Sequence, residues 1–134
     1  MAIQYKILPD KKLVYVSGKT KPTIEEQIQC LFSIAQDPLY VAPMKKLVDF
    51  RVCEPIGYSH DEIKRFTEAK AELKERFKGE ATAVIVNNDL DFGVSRVFSS
   101  FLEPHNLDLC VFRNLDDALR WLDVEVDDDD LLFN

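Results

Sequence analysis

The chain has 134 residues, 46% of them apolar and 31% charged, which is the make-up of one globular domain whose core needs no disulfide or metal staple. Its net charge of −7 is local: residues 123–134 hold six acids (Asp123, Glu125 and Asp127 to Asp130) and no base, leaving residues 1–122 with 17 bases against 18 acids. A nearly neutral body, with the bases of 64–78 interleaved with Glu68, Glu72 and Glu75, excludes a broad nucleic-acid footprint.

The start Met1-Ala2-Ile3-Gln4-Tyr5-Lys6 lacks the basic-then-apolar pattern of a secretory signal, and no apolar run approaches the ~20 residues of a membrane span. A cytoplasmic protein with no transmembrane segment is expected. Cys30, Cys53 and Cys110 are odd in number, widely spaced and set among apolar neighbours, as reduced, buried thiols would be.

Ile3, Tyr5 and Ile7 alternate with polar residues, Leu13, Tyr15 and Ser17 follow, and Pro9-Asp10-Lys11-Lys12 separates the two runs as a hairpin turn. Gly18 ends the second strand. Thr23-Ile24-Glu25-Glu26 is a capping box opening a helix to about Gln36, with Ile24, Ile28, Leu31, Phe32 and Ala35 on one stripe, and Asp37-Pro38 stops it. Residues 47–52, Leu-Val-Asp-Phe-Arg-Val, read as a third strand.

Pro55 and Gly57 break the chain before a second capping box, Ser59-His60-Asp61-Glu62. The helix it opens is expected to reach Lys78, with Gly79 left-handed, Ile63, Phe66, Leu73 and Phe77 buried, and ion pairs Asp61 with Arg65 and Glu72 with Arg76. Residues 81–86 form the most continuous apolar strand, the pattern of a central one. A helix over about 91–103 places Val94, Val97, Phe98 and Phe101 together and stops at Pro104. A last strand spans 107–112, and Asn114 caps a helix to Leu122 with Leu115, Ala118, Leu119 and Leu122 inward. The order ββαβαβαβα predicts an α/β domain over 1–124, with a mostly parallel five-stranded sheet and an N-terminal antiparallel hairpin.

This order, with Leu47-Val48-Asp49-Phe50 on the middle strand and Val111-Phe112-Arg113-Asn114 leading to Ala118-Leu119-Arg120-Trp121-Leu122, resembles the bacterial SpoIIAA-like branch of the STAS superfamily over about residues 3–122. The resemblance implies a non-catalytic regulatory or protein-interaction module. In the regulatory members a serine in an Asp-Ser-Ser/Thr-Gly motif, where the third strand gives way to the next helix, is phosphorylated. The corresponding stretch here, Glu54 to Asp61, lacks that motif, and its one hydroxyl, Ser59, is explained as a helix cap. The branch is also similar in fold to lipid-carrying CRAL-TRIO domains, which by analogy keeps an apolar ligand in view.

Parallel sheets place ligands outside the carboxyl ends of their strands. There Tyr58, Ser59, Asn88, Ser95 and Arg96 could converge on a small apolar or anionic ligand, near Tyr58, Asn88 and Arg96, provided that a pocket of about 300 Å³ or more exists. The competing reading makes Asn88 a turn former and Arg96 a solvated helix residue, since no glycine-rich phosphate loop is present. His60 and His105 have no second histidine or cysteine at ligand spacing, so no metal or other cofactor is expected. Cys53 with His60 is the sole candidate nucleophile and base, with no third orienting group, and no catalytic residue is assigned. Asp49 is expected to bond a loop amide or a Lys or Arg. In the segment 125–134, four adjacent carboxylates predict an extended chain, and either Leu131, Leu132 and Phe133 dock on the body or on a partner, a second copy included, or the segment frays.

Overall fold

The computed structural model describes residues 2–133; Met1 and Asn134, which bound the two predicted segments, lie outside the described residues. The hairpin is β1 (Ile3–Leu8) and β2 (Leu13–Gly18), antiparallel from Ile3 opposite Gly18 to Leu8 opposite Leu13, and joined by a 3-10 turn at Pro9–Lys11. Then come α1 (Ile24–Gln36), β3 (Lys45–Asp49), α2 (His60–Glu72), β4 (Ala81–Ile85), α3 (Asp89–Leu102), β5 (Asp108–Phe112) and α4 (Leu115–Leu122). β2 to β5 are parallel, and the strand order across the sheet is 1-2-3-4-5.

That order dictates the layers. The three crossovers all step the same way along the sheet, so right-handed connections put α1, α2 and α3 on one face. Val14, Val16, Val48, Val84 and Leu109 meet Leu31, Ile34, Phe77 and Leu102 there. The opposite face, with Leu13, Tyr15, Leu47, Ala83 and Ile85, receives Ala118 and Leu122 of α4. An eight-residue helix is too short to cover five strands. Val124, Val126, Leu131 and Phe133 complete the cover, and Phe133 stacks on Tyr15 with ring centroids 5.4 Å apart.

The segment therefore docks on its own sheet, and it is not extended throughout: Asp128–Leu131 forms a 3-10 turn, with the Asp127 N–H donating to the Asp130 carboxylate at 2.8 Å. The hairpin relieves the charge repulsion. Lys11 pairs with Asp130 at 3.2 Å and donates to the Glu125 carbonyl, while Lys6 donates to the carbonyls of Asp129 and Leu132. Of the three residues expected to dock, Leu131 and Phe133 are partly buried against the body, whereas Leu132 stays 56% exposed.

Both capping boxes form as predicted, at Thr23 with Glu26 and at Ser59 with Glu62. Regular α2 ends at Glu72 rather than Lys78. The chain then tightens through i to i−3 hydrogen bonds at Leu73, Lys74 and Arg76 before Gly79 takes φ +77°. This turn frees Arg76 from Glu72, and its guanidinium bonds the carbonyls of Ala35 and Asp37 at the end of α1. Arg65 pairs with Glu25 of α1 rather than with Asp61. β3 begins two residues earlier than predicted and ends at Asp49, because Arg51 turns back to bond the Asp49 carboxylate and leaves Val52 72% exposed. The inward face of α3 is shifted from the predicted stripe: Val94 and Phe98 do face the sheet side, Asp91, Ser95 and Leu102 are buried with them, and Phe101 lies outside against the His60 ring.

Candidate functional site

Between the sheet and α1 to α3 lies a cavity of about 70 Å³, lined mostly by apolar side chains. It follows the inward face of β3. Lys46, Val48 and Phe50 all line it, so it runs the length of alternate residues from the amino end of that strand to just past its carboxyl end. At about 3.3 Å per residue this is a slot roughly 13 Å long. The volume is far below the 300 Å³ that the ligand reading required, so the slot as formed does not meet that condition and must widen to take a ligand of more than a few heavy atoms.

Polar groups stand at both ends. At the carboxyl end, Asp91, in the first turn of α3, is 6% exposed. Its carboxylate accepts hydrogen bonds from the backbone N–H of Ile56 at 3.0 Å and of Gly57 at 3.2 Å, and from the Asn88 amide at 3.1 Å. Asp91 thus holds the β3–α2 loop to α3. Tyr58 in that loop donates to the Pro22 carbonyl at 2.6 Å and accepts from Gln27 at 3.1 Å; burial, the largest cause, pushes its hydroxyl pKa well up.

At the amino end is a buried charge cluster. Glu80, just before β4, accepts from Lys70 of α2 at 2.9 Å, lies 3.1 Å from the ammonium of Lys46 on β3, and takes hydrogen bonds from Thr82 at 3.1 Å and Tyr40 at 2.5 Å. The three charged side chains are between 0 and 5% exposed. Lys46 and Lys70 line the slot and Glu80 does not. Burial would raise the Glu80 carboxyl, but the charges of Lys46 and Lys70 outweigh it and bring it down to about 2. For Lys46 burial wins over Glu80, with Lys70 acting in the same direction, and the ammonium falls to about 8. Cys30, on the α1 wall, is pushed up to about 11 by burial against a lowering by Lys46, so it is a neutral thiol.

Of the five predicted ligand residues, Tyr58 and Ser95 line the slot. Ser59 accepts the Glu62 N–H as the cap of α2, and Asn88 accepts the Asp91 N–H as the cap of α3. Arg96 is exposed on α3, outside the lining. Asp49 is satisfied as expected: it accepts the Arg51 backbone N–H at 3.1 Å, the Arg51 side chain at 2.9 and 2.7 Å, and the Tyr15 hydroxyl at 3.0 Å. Cys53 and His60 are not set up as a pair. The Cys53 thiol is pushed up to about 11 by burial and by the charges of Asp91 and Asp49, and the His60 ring packs edge-on against Phe101. Among the described residues no group of His, Cys, Asp and Glu could hold a metal ion, and no helix is long and apolar enough to cross a membrane.

Sequence reading missed Lys46, Lys70, Glu80 and Asp91. The signal existed for Lys70, which lies seven residues after Ile63 on the same helical stripe, and for Lys46, which shares strand parity with Val48.

Comparison with known proteins supports the fold alone. No family model matches, and neither does any curated protein. Among solved structures, the chain is similar to an uncharacterised protein of the DUF3478 family with a SpoIIAA-like fold from Shewanella loihica PV-4. The two share 22% sequence identity with a TM-score of 0.58, over 90% of this chain and 92% of the other. This chain has a SpoIIAA-like α/β fold.

Proposed function

We propose that this SpoIIAA-like domain is a non-catalytic regulatory module that takes a small ligand into the slot between its sheet and α1 to α3, as a carrier or sensor. The observation that carries this reading is the slot itself, an apolar space enclosed by three helices and ended by buried charges. Close packing leaves few voids this large in a small domain, and one whose wall includes two buried lysines is hard to attribute to packing alone. A narrow slot needs to widen least for one unbranched chain. Asp91 links the slot to the surface, because the loop whose amides it binds also carries Tyr58, so a ligand that moves Tyr58 would move an exposed loop.

A second reading, docking of a protein partner, is favoured by one observation. Val52 in the β3–α2 loop is 72% exposed and Leu90 at the start of α3 is 55% exposed, both at the carboxyl ends of the strands. That is where the regulatory relatives in fold carry their switch. The two readings combine if the ligand alters this surface.

The test of the slot is a titration of the full chain with 1-octanol, followed by amide NMR, beside native mass spectrometry of freshly purified protein. Saturable shifts at Val48, Val84 and Val94 are expected. Shifts that never saturate, or that scatter over the surface, would remove the reading.

A further inference from the structure

The two ends of the slot differ in sign. At the amino end, two ammonium groups face one carboxylate, and the remaining neighbours add no negative charge: Tyr40 donates its hydroxyl to Glu80, Thr82 is neutral and the Cys30 thiol is held protonated. The excess is one positive charge in an apolar interior. At the other end Asp91 carries a negative charge whose acceptor positions are taken by loop amides and Asn88. A ligand entering this field is oriented by it.

We infer that the slot is built for an unbranched aliphatic monocarboxylate, with its carboxylate against Lys46 and Lys70 and its chain along Val48 and Val84 toward Tyr58. This rests on the slot being the ligand site. It adds the ligand's class and direction, and it puts the anionic end at the opposite edge of the sheet from the strand carboxyl ends. A single negative charge completes the cluster, whereas a phosphate dianion would reverse the imbalance instead of removing it. An uncharged chain would leave the excess cation unmatched, and burial of an unmatched charge is what proteins avoid. Oxygen atoms reaching Lys46 would also give its ammonium acceptors beyond Glu80, its one ion-pair partner among the described residues.

The experiment compares octanoate with 1-octanol, which share a chain and differ in charge, by calorimetric titration of the full chain at pH 7. Octanoate is expected to bind at least tenfold more tightly. In Lys46→Met and Lys70→Met that preference should fall to within about twofold, with 1-octanol affinity retained as the sign of an intact slot. In the unmodified protein, octanoate should shift the Nζ resonances of both lysines, a readout that does not depend on how the variants fold. Equal affinity for the two compounds would overturn the carboxylate inference while leaving the slot as a ligand site. Failure of both compounds to perturb the slot would remove both. Octanoate binding that shifts surface lysines and spares Lys46 would also overturn the inference.

Discussion

Glu80 and Lys46 are 3.1 Å apart, yet neutralising them should move stability in opposite directions. Lys46 titrates at about 8 against an ordinary 10.5. At about 1.4 kcal/mol for each tenfold change in proton affinity, the folded protein bears roughly 3 kcal/mol for keeping it charged. Lys46→Met removes that strain, preserves most of the stem and leaves Lys70 with Glu80 as a balanced pair. It also loses the ammonium lying 4.5 Å over the Phe77 ring, worth about 1 kcal/mol. The variant should be more stable by about 1 to 3 kcal/mol at pH 7. Glu80→Gln leaves two buried ammonium groups without a counter-charge and should lose about 3 to 5 kcal/mol, which is roughly 10 to 20 °C in melting temperature for a domain of this size. Urea denaturation and calorimetry would read both. The pH dependence provides a further check. Because the folded-state proton affinity of Lys46 is depressed, the unfolded chain binds more protons between about pH 8 and 10.5. The natural protein therefore gains on Lys46→Met across that window, and the variant's advantage should vanish by its upper end. Cys30, Cys53 and the tyrosines are common to both proteins and cancel. A Lys46→Met protein less stable than its parent at pH 7, or a difference between them that stays flat from pH 7 to 10, would refute the reasoning.

Three further predictions concern the frame around the slot. Removing residues 125–134 uncovers the sheet face at Tyr15, and since Val126, Leu131 and Phe133 are partly buried, the loss should be about 2 to 4 kcal/mol by urea midpoint; an unchanged midpoint would show that the docking contributes nothing. Gly18→Ala places a methyl 2.5 Å from the Phe50 ring and 3.0 Å from the Cys53 sulfur, an overpacking cost of about 1 to 3 kcal/mol, whereas native stability would place Phe50 elsewhere. Asp91→Ala orphans the N–H groups of Ile56 and Gly57, so hydrogen exchange in residues 54–58 should accelerate and stability should fall by about 1 to 3 kcal/mol.

Local chemistry was legible in the sequence wherever it acts over three or four residues. The boxes at Thr23 and Ser59 and the cap at Asn114 work through hydrogen bonds to amides nearby in the chain; Asn88, read as a turn former, proves to cap α3 in the same way. The strand order was not written in any one segment, yet right-handed crossovers make it decide which face each helix covers. It does not fix how far a helix is rotated: α3 turns Asp91 and Ser95 inward beside Val94 and Phe98 of the predicted stripe, while Phe101 of that stripe stays outside. A charged residue on an inward stripe reads as a break in the stripe until its partner is known. Glu80 meets Lys46 from a position 34 residues away and Tyr40 from 40, distances over which no periodicity carries information. The tail was misread as extended because its four carboxylates were weighed alone, without Lys6 and Lys11 on the hairpin that receives it.

The slot's two properties, a destabilising lysine and an unmatched positive charge, have a joint consequence for binding. A carboxylate beside Lys46 favours its ammonium form and raises its proton affinity, adding to Glu80 and opposing Lys70, the other charged groups around it. Below pH 8 the ammonium already exists and binding should take up almost no proton. Above pH 8 the free protein holds Lys46 increasingly neutral, so each octanoate bound must bring a proton with it, and affinity should fall by up to tenfold per pH unit until the bound-state value is passed. Calorimetry at pH 9 in two buffers of different ionisation heat measures this uptake directly, as a difference in apparent enthalpy that approaches one proton per octanoate. The same difference should disappear in Lys46→Met. Octanoate binding with no proton uptake at pH 9 would mean that the anion and Lys46 do not meet, and the excess charge would then have to be satisfied by deprotonation of the lysine alone.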